Sequence, residues 1–388
     1  MLILALTLLL LPLLIGVYSY VVYPAILFVV TRSRPMWELP PEPTEWPMIT
    51  ITLPMYNEER VIRQRLGNLI ALDYPADRRH ILVLSDASTD KTDEIAREFE
   101  DQGVELFRLP VRAGKSAAEN AALHRLRGDI VVNVDATTKI FPKSLKALVR
   151  AFGDPTVGVA SGRDVSMSVS DTDANGGESG YVGYEMWVRQ LETRWSSIVG
   201  ASGCFYGIRR SVYDGNFPLA LSRDFASALM AHEHGFRAVS VDAATCGVPR
   251  VPSLMVEYRR KIRTMHRGLE TLGFKRHLLN PFRHGRFAFM LFSHKLCRWL
   301  VYPAFIPATV GMLLLPMVWP WAAMLIPIAG TVLFTGWRAM KDEPGVRRSK
   351  GVALLGFLVA SNLAGLLAWV KTAQRTEDGT WEPTRRTA

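Results

Sequence analysis

The chain has 388 residues, is 49% hydrophobic and carries a formal net charge of +10, which allows one full-sized domain plus an apolar remainder gathered at the two ends. Its Lys and Arg flank apolar segments or form one central run, with no aromatic-interleaved patch, so the charge is read as facing a membrane surface and not nucleic acid. Cys204, Cys246 and Cys297 are widely spaced with no C-x-x-C pair, which argues against a zinc site or a disulfide framework.

Residues 1–30 contain no charge, and Arg32 and Arg34 follow at once. That is long enough for a tilted spanning helix, and it lacks the basic start and short apolar core of a signal peptide, so an uncleaved anchor is expected over residues 1–31. A proline-rich connector over 32–48 holds Pro35, Pro40, Pro41, Pro43 and Pro47 and has no helical or strand period. A cytoplasmic domain is then expected over 49–282.

Within it, apolar runs at 48–53, 80–84, 104–109 and 130–134 alternate with helical patterns such as Val61, Ile62, Leu66, Leu69 and Ile70. This alternation predicts an α/β domain with a mainly parallel sheet, whose four strand ends open on one edge. No G-x-G-x-x-G occurs, and Gly114-Lys115 lacks the spaced first glycine of a P-loop.

The polar residues at those strand ends suit a nucleoside diphosphate. Tyr56 offers a ring face, and Glu58 and Asp86 offer carboxylates for ribose hydroxyls or a base N–H. Lys115 supplies a point charge for the diphosphate, and Asp135 a ligand for a divalent cation, Mg²⁺ or Mn²⁺, completed by substrate and water. A plainer role for Asp135 is to close a turn or cap the next helix.

Further along, 157–165 reads as a strand, 166–180 as a mobile Gly-rich loop and 181–195 as a helix. The small residues from Gly200 to Gly203, before Cys204, either let an acceptor approach the backbone or make an ordinary tight turn. Asp224 is either a helix N-cap or a general base for an acceptor hydroxyl. Arg259, Arg260, Lys261, Arg263 and Arg267 form the densest basic run, either a lipid-facing helix surface or the electrostatic support of a departing diphosphate.

Taken in order, Pro54-Met55-Tyr56-Asn57-Glu58, Ser85-Asp86-Ala87-Ser88-Thr89-Asp90, Arg112-Ala113-Gly114-Lys115, Asp135-Ala136-Thr137-Thr138, Ser222-Arg223-Asp224-Phe225 and Arg259-Arg260-Lys261-Ile262-Arg263 resemble the membrane-bound family 2 glycosyltransferases. Those include the synthases of cellulose, chitin, hyaluronan and poly-N-acetylglucosamine. The resemblance covers about 48–267 and the flanking membrane helices. It implies a GT-A, Rossmann-like nucleotide-sugar-binding fold, an inverting single displacement and a divalent metal. It assigns Tyr56, Glu58 and Asp86 to the nucleoside, Lys115 and Asp135 to diphosphate and metal, and Asp224 to the base. Arg260 and Arg263 match the cationic ends of the family's Q/R-x-x-R-W element, and Gly203, Cys204 and Thr264 fall on the acceptor side. Three positions depart from the family pattern: Thr137 replaces the second metal carboxylate, Arg223 replaces one of an acidic pair, and Thr264 replaces the Trp of the polymer synthases.

In the C-terminal third, 283–300 reads as an interfacial amphipathic helix, 301–319 and 321–334 as a hairpin of two spans, and 351–370 as a third apolar segment, all within a transmembrane region over 301–370. Three full spans would export the basic tail at 371–388, unless the last segment is re-entrant around Asn362 and Gly365. The expected protein is an integral inner- or plasma-membrane enzyme facing the cytoplasm. It would move a sugar from a UDP-linked donor to a growing polysaccharide, with single transfer onto a lipid and a non-catalytic scaffold as the alternatives.

Overall fold

The computed structural model describes residues 1–167, 176–213, 217–249, 253–341 and 349–376, which fall into two units. One holds an eight-stranded sheet in the order β3-β2-β1-β4-β7-β6-β8-β5. Its strands are β1 (Ile49–Met55), β2 (Arg79–Ser85), β3 (Val104–Arg108), β4 (Ile130–Val134), β5 (Lys139–Ile140), β6 (Val157–Met167), β7 (Phe205–Arg209) and β8 (Arg237–Pro249).

Every residue of β1, β2 and β4 is buried, as befits strands covered on both faces. Alternation sorts their side chains: Ile81 and Val83 join Ile49, Ile51, Leu53 and Val132 on one face, while Leu82, Leu84 and Val131 join Ala118, Ala226 and Met230 on the other. Each such aliphatic side chain contributes about 1.5–3 kcal/mol on burial. The helix Ile62–Ile70 closes the first face through Ile62, Leu66 and Leu69, the spacing the sequence shows.

β1, β2, β3 and β4 are parallel, so their C-terminal ends share one edge as expected. The rest of the sheet is not mainly parallel. β7 runs antiparallel to both β4 and β6, and β5 antiparallel to β8, while β8 is parallel to β6. The reason is local. The chain enters β7 from the loop at 200–204, already at the edge where β4 ends, and pairs Phe205 with Val134, so it can only run back. The helix Gly176–Trp195 starts earlier than the sequence pattern suggests, and the rest of the Gly-rich stretch at 168–175 lies outside the described residues.

The other unit is helical. Leu2–Thr31, Pro320–Lys341 and Gly351–Ala373 are each long and apolar enough to cross a membrane. Within the span expected over 301–319, Phe305–Met317 follows Pro281–Leu300 across a 51° bend; Pro303 and Pro307 remove backbone donors at the break. The last segment does not turn back at Asn362 and Gly365: Lys350–Ala373 is one helix, Asn362 donates its amide to the Leu358 carbonyl at 2.8 Å, and Gly365 leaves room for the Tyr302 ring. The helix Leu254–Phe274, which carries the basic run, belongs to this unit, so the unit begins well before the boundary expected at 282. Along it, Lys261 donates to Ser361 at 2.6 Å and His266 meets Thr372 at 2.9 Å.

One glycine is indispensable to the sheet. Gly128, in the turn into β4, has φ +74, and a Cβ there would lie 1.9 Å from the Met48 carbonyl oxygen beside β1. Gly128→Ala is expected to cost about 3 kcal/mol through left-handed strain and overpacking, read as a lower urea midpoint; a loss under about 1 kcal/mol would contradict this account.

Candidate active site

The site is built on the shared edge of β1, β2, β3 and β4. Two non-glycine residues just past it, Asn57 (φ 53) and Ala87 (φ 57), are left-handed, a strain of about 1–3 kcal/mol each that neighbouring contacts must offset. They are offset by stitching. Thr89 N donates to Asn57 Oδ1 at 2.8 Å, Glu58 N to Thr92 Oγ1 at 2.8 Å, and Glu59 N to Asp90 Oδ2 at 3.1 Å, so the loops after β1 and β2 form one rim.

Tyr56 and Glu58 sit half-buried on that rim. One face of the Tyr56 ring is covered by the Arg112 guanidinium, 3.9 Å from the ring centroid. Asp86 is 1% exposed, and its carboxylate accepts from the backbone of Ala113 at 2.7 Å and of Gly114 at 2.9 Å. It clamps the loop leading to Lys115 onto the end of β2.

Lys115 begins the helix Lys115–Ala121 and reaches Asp135 Oδ1, 3.0 Å away. Burial works against the ammonium charge, but Asp135, Glu119 and Asp224 outweigh it and raise its pKa above the usual lysine value. It therefore stays protonated throughout the physiological range. Asp135 follows β4 directly, donates its backbone N–H to the Cys204 carbonyl at 3.1 Å and remains 31% exposed in its side chain.

The reversed strand β7 thus brings the loop at 200–204 against Asp135. Gly203 in that loop faces Asp224: a Cβ at 203 would lie 2.8 Å from Asp224 Oδ2. Asp224 is the second residue of the helix Arg223–Glu233, not its N-cap, which is Ser222. Ser222 Oγ donates to Asp224 Oδ1, and the helix N-terminus favours a carboxylate there. The same loop is braced by Ser202 Oγ, which donates to both carboxylate oxygens of Asp164 at 2.7 and 2.9 Å.

Tyr56, Glu58, Asp86, Lys115, Asp135, Gly203, Cys204 and Asp224 are all in the sheet unit, and Asp135 and Asp224 both act on Lys115. Arg260, Arg263 and Thr264 lie on the helix Leu254–Phe274 of the other unit, where Arg260 makes a two-pronged pair with Glu257, both contacts at 2.7 Å. Among the described residues no group of three or more His, Cys, Asp or Glu is arranged for a metal. The donor set fits only the mode in which one carboxylate, Asp135, shares a hard cation with phosphates and water.

Sequence reasoning gave no role to Arg112 or to Glu119. Arg112 could have been noticed from its place three residues before Lys115, and Glu119 from the i, i+4 spacing that puts it on the Lys115 face.

Residues 50–217 match the family described as Glycosyl transferase family 2. A probable glycosyltransferase of Bacillus subtilis, YdaM, is 25% identical over 60% of this chain and 57% of its own length. A beta-monoglucosyldiacylglycerol synthase of Nostoc sp. is 27% identical over 43% of this chain and 37% of its own length. An N-acetylglucosaminyltransferase of Mesorhizobium japonicum is 31% identical over 34% of this chain and 32% of its own length. The chain thus spans little more than half of these relatives at most. The mannosyltransferase PcManGT from Pyrobaculum calidifontis, solved with GDP-Man and Mn²⁺, superposes with a TM-score of 0.73 over 97% of this chain and 99% of its own, at 22% identity; that likeness is one of fold. The edge from Tyr56 to Cys204 thus lies within the stretch that matches the Glycosyl transferase family 2 model, on a sheet of GT-A-like α/β fold.

Proposed function

We propose that this protein transfers a sugar from a nucleotide-sugar donor to an acceptor hydroxyl by an inverting single displacement. The observation that carries the reading is the placing of one half-buried ammonium, Lys115, against Asp135 and under the further influence of Asp224 at the sheet edge. Asp224 takes the proton as the acceptor oxygen attacks the anomeric carbon. The bond from that carbon to the phosphate oxygen breaks, and the leaving diphosphate carries away the electron pair. Lys115, permanently charged, meets that growing negative charge. Gly203, lacking a side chain, leaves the acceptor room beside the base.

The rim of Tyr56, Glu58 and Arg112 is assigned to the nucleoside. A Mg²⁺ or Mn²⁺ ion, when bound, would be held by Asp135 with the donor's phosphates and would neutralise the diphosphate. The helices Leu2–Thr31, Pro320–Lys341 and Gly351–Ala373 anchor the protein in a membrane. Arg32 and Arg34, directly after the first of them, put the sheet unit on the cytoplasmic side.

The acceptor is membrane-held. Thr264, which stands where polymer synthases have Trp, favours a single transfer onto a lipid, and the likeness to a beta-monoglucosyldiacylglycerol synthase supports the same reading. Extension of a polysaccharide is the second reading, favoured by the ordered set of synthase-like motifs and by the likeness to an N-acetylglucosaminyltransferase.

Purified protein in lipid vesicles, given a panel of UDP- and GDP-sugars with Mg²⁺ or Mn²⁺, is expected to release nucleotide diphosphate and to yield one discrete glycolipid. A ladder of long chains would replace the lipid reading by the polysaccharide one, and no turnover with any donor would remove the enzymatic reading. Asp224→Asn should lower kcat by about 10³-fold, the worth of a general base, while nucleotide binding measured by calorimetry holds. A non-catalytic scaffold would lose no cellular function on that change.

A further inference from the structure

Arg223 occupies an unfavourable electrostatic position. It is the first residue of the helix Arg223–Glu233, at the positive end of the helix dipole, and its side chain is only 7% exposed. A cation there loses hydration and meets like partial charge, so the groups that hold it are informative. Nε lies 2.8 Å from Oε2 of Glu119, whose side chain is 1% exposed. Nη2 donates to Asn120 Oδ1, and the guanidinium lies over the rings of Tyr213 and Phe217, 4.9 and 4.6 Å from their centroids. Asn120 is itself fixed, donating to the Phe217 carbonyl at 2.7 Å.

Glu119 faces two ways. It is one helical turn after Lys115 on the same short helix, and both of its carboxylate oxygens are buried without a hydrogen bond among the described residues, the contact to Arg223 being an ion pair. Its charge is thus met electrostatically, by Lys115 on one side and Arg223 on the other. The ions alternate from Asp135 through Lys115 and Glu119 to Arg223, and Arg223 is joined by a peptide bond to Asp224.

We propose that Glu119 and Arg223 are positioning residues, a buried ion pair that fixes the helix start bearing Asp224 relative to the helix start bearing Lys115. The inference rests on the reading of Asp224 as the base. It gives a purpose to the Arg that replaces one carboxylate of the family's acidic pair: the position is used to lock the base in place. Neither residue touches substrate; each acts through Asp224.

Glu119→Gln, Arg223→Met and the double variant test this, with kcat, donor KM and thermal unfolding measured on the full-length protein in vesicles. Each single change is expected to lower kcat by about 100-fold, the scale of a small misplacement of a reacting group, with donor KM within about threefold. The double variant should lose no more than the worse single one, because the two act as a unit. Should Arg223→Met fail to fold, Glu119→Gln, which keeps shape and volume, carries the test. Unchanged kcat in folded Glu119→Gln, losses that multiply in the double variant, or a kcat loss matched by lost donor affinity would overturn the pairing while wild-type turnover leaves the enzymatic reading standing. A wild type inactive with every donor overturns both.

Discussion

The charge balance around Lys115 governs the rest of the site. Three carboxylates, Asp135, Glu119 and Asp224, act on this one ammonium, and Arg223 answers Glu119. Within this cluster two cations face three anions, and the Arg112 guanidinium over Tyr56 adds a cation at the rim. On the proposed reading a divalent ion bound with the donor would offset the charge of the diphosphate, with Asp135 as its protein carboxylate.

That balance works only if the loops holding these groups are rigid. The rim after β1 and β2 stays in place because Asn57 and Ala87 accept left-handed backbones in exchange for side-chain bonds between the two loops. Asp86 performs a similar task one strand further out, drawing the backbone of Ala113 and Gly114 onto the end of β2 and so aiming Lys115 at Asp135. A residue read as a nucleoside ligand thus also holds part of the frame. That second task was invisible in the sequence, because it depends on the path of the loop at 111–114 and not on the identity of Asp86.

What was legible follows from physics that is local in sequence. β1, β2 and β4 are buried on both faces and read as apolar-rich runs despite Thr50, Thr52 and Asn133; the helix Ile62–Ile70 is amphipathic and reads by its spacing. The reversal of β7 was not legible, since strand direction is set by where the chain enters the sheet. The Glu119–Arg223 pair joins residues 104 positions apart, and no periodicity reports such a contact. In the helical unit, hydropathy marks apolar stretches but does not say which of them run on across a bend. The bend ahead of Phe305, inside the span expected over 301–319, went unread for that reason.

The basic run poses a question of partners that the same electrostatic reasoning can address. Arg260 already holds Glu257 through two charge-assisted contacts on its own helix. Lys115 faces the opposite situation: its neighbours carry more negative charge than it can answer, and it keeps its proton for that reason. An anion that meets Lys115 therefore competes with the carboxylates already around it. Among the cations of the basic run Arg259 is exposed, while Arg260 and Lys261 already hold Glu257 and Ser361, so an anion that meets this helix meets cations that are largely engaged.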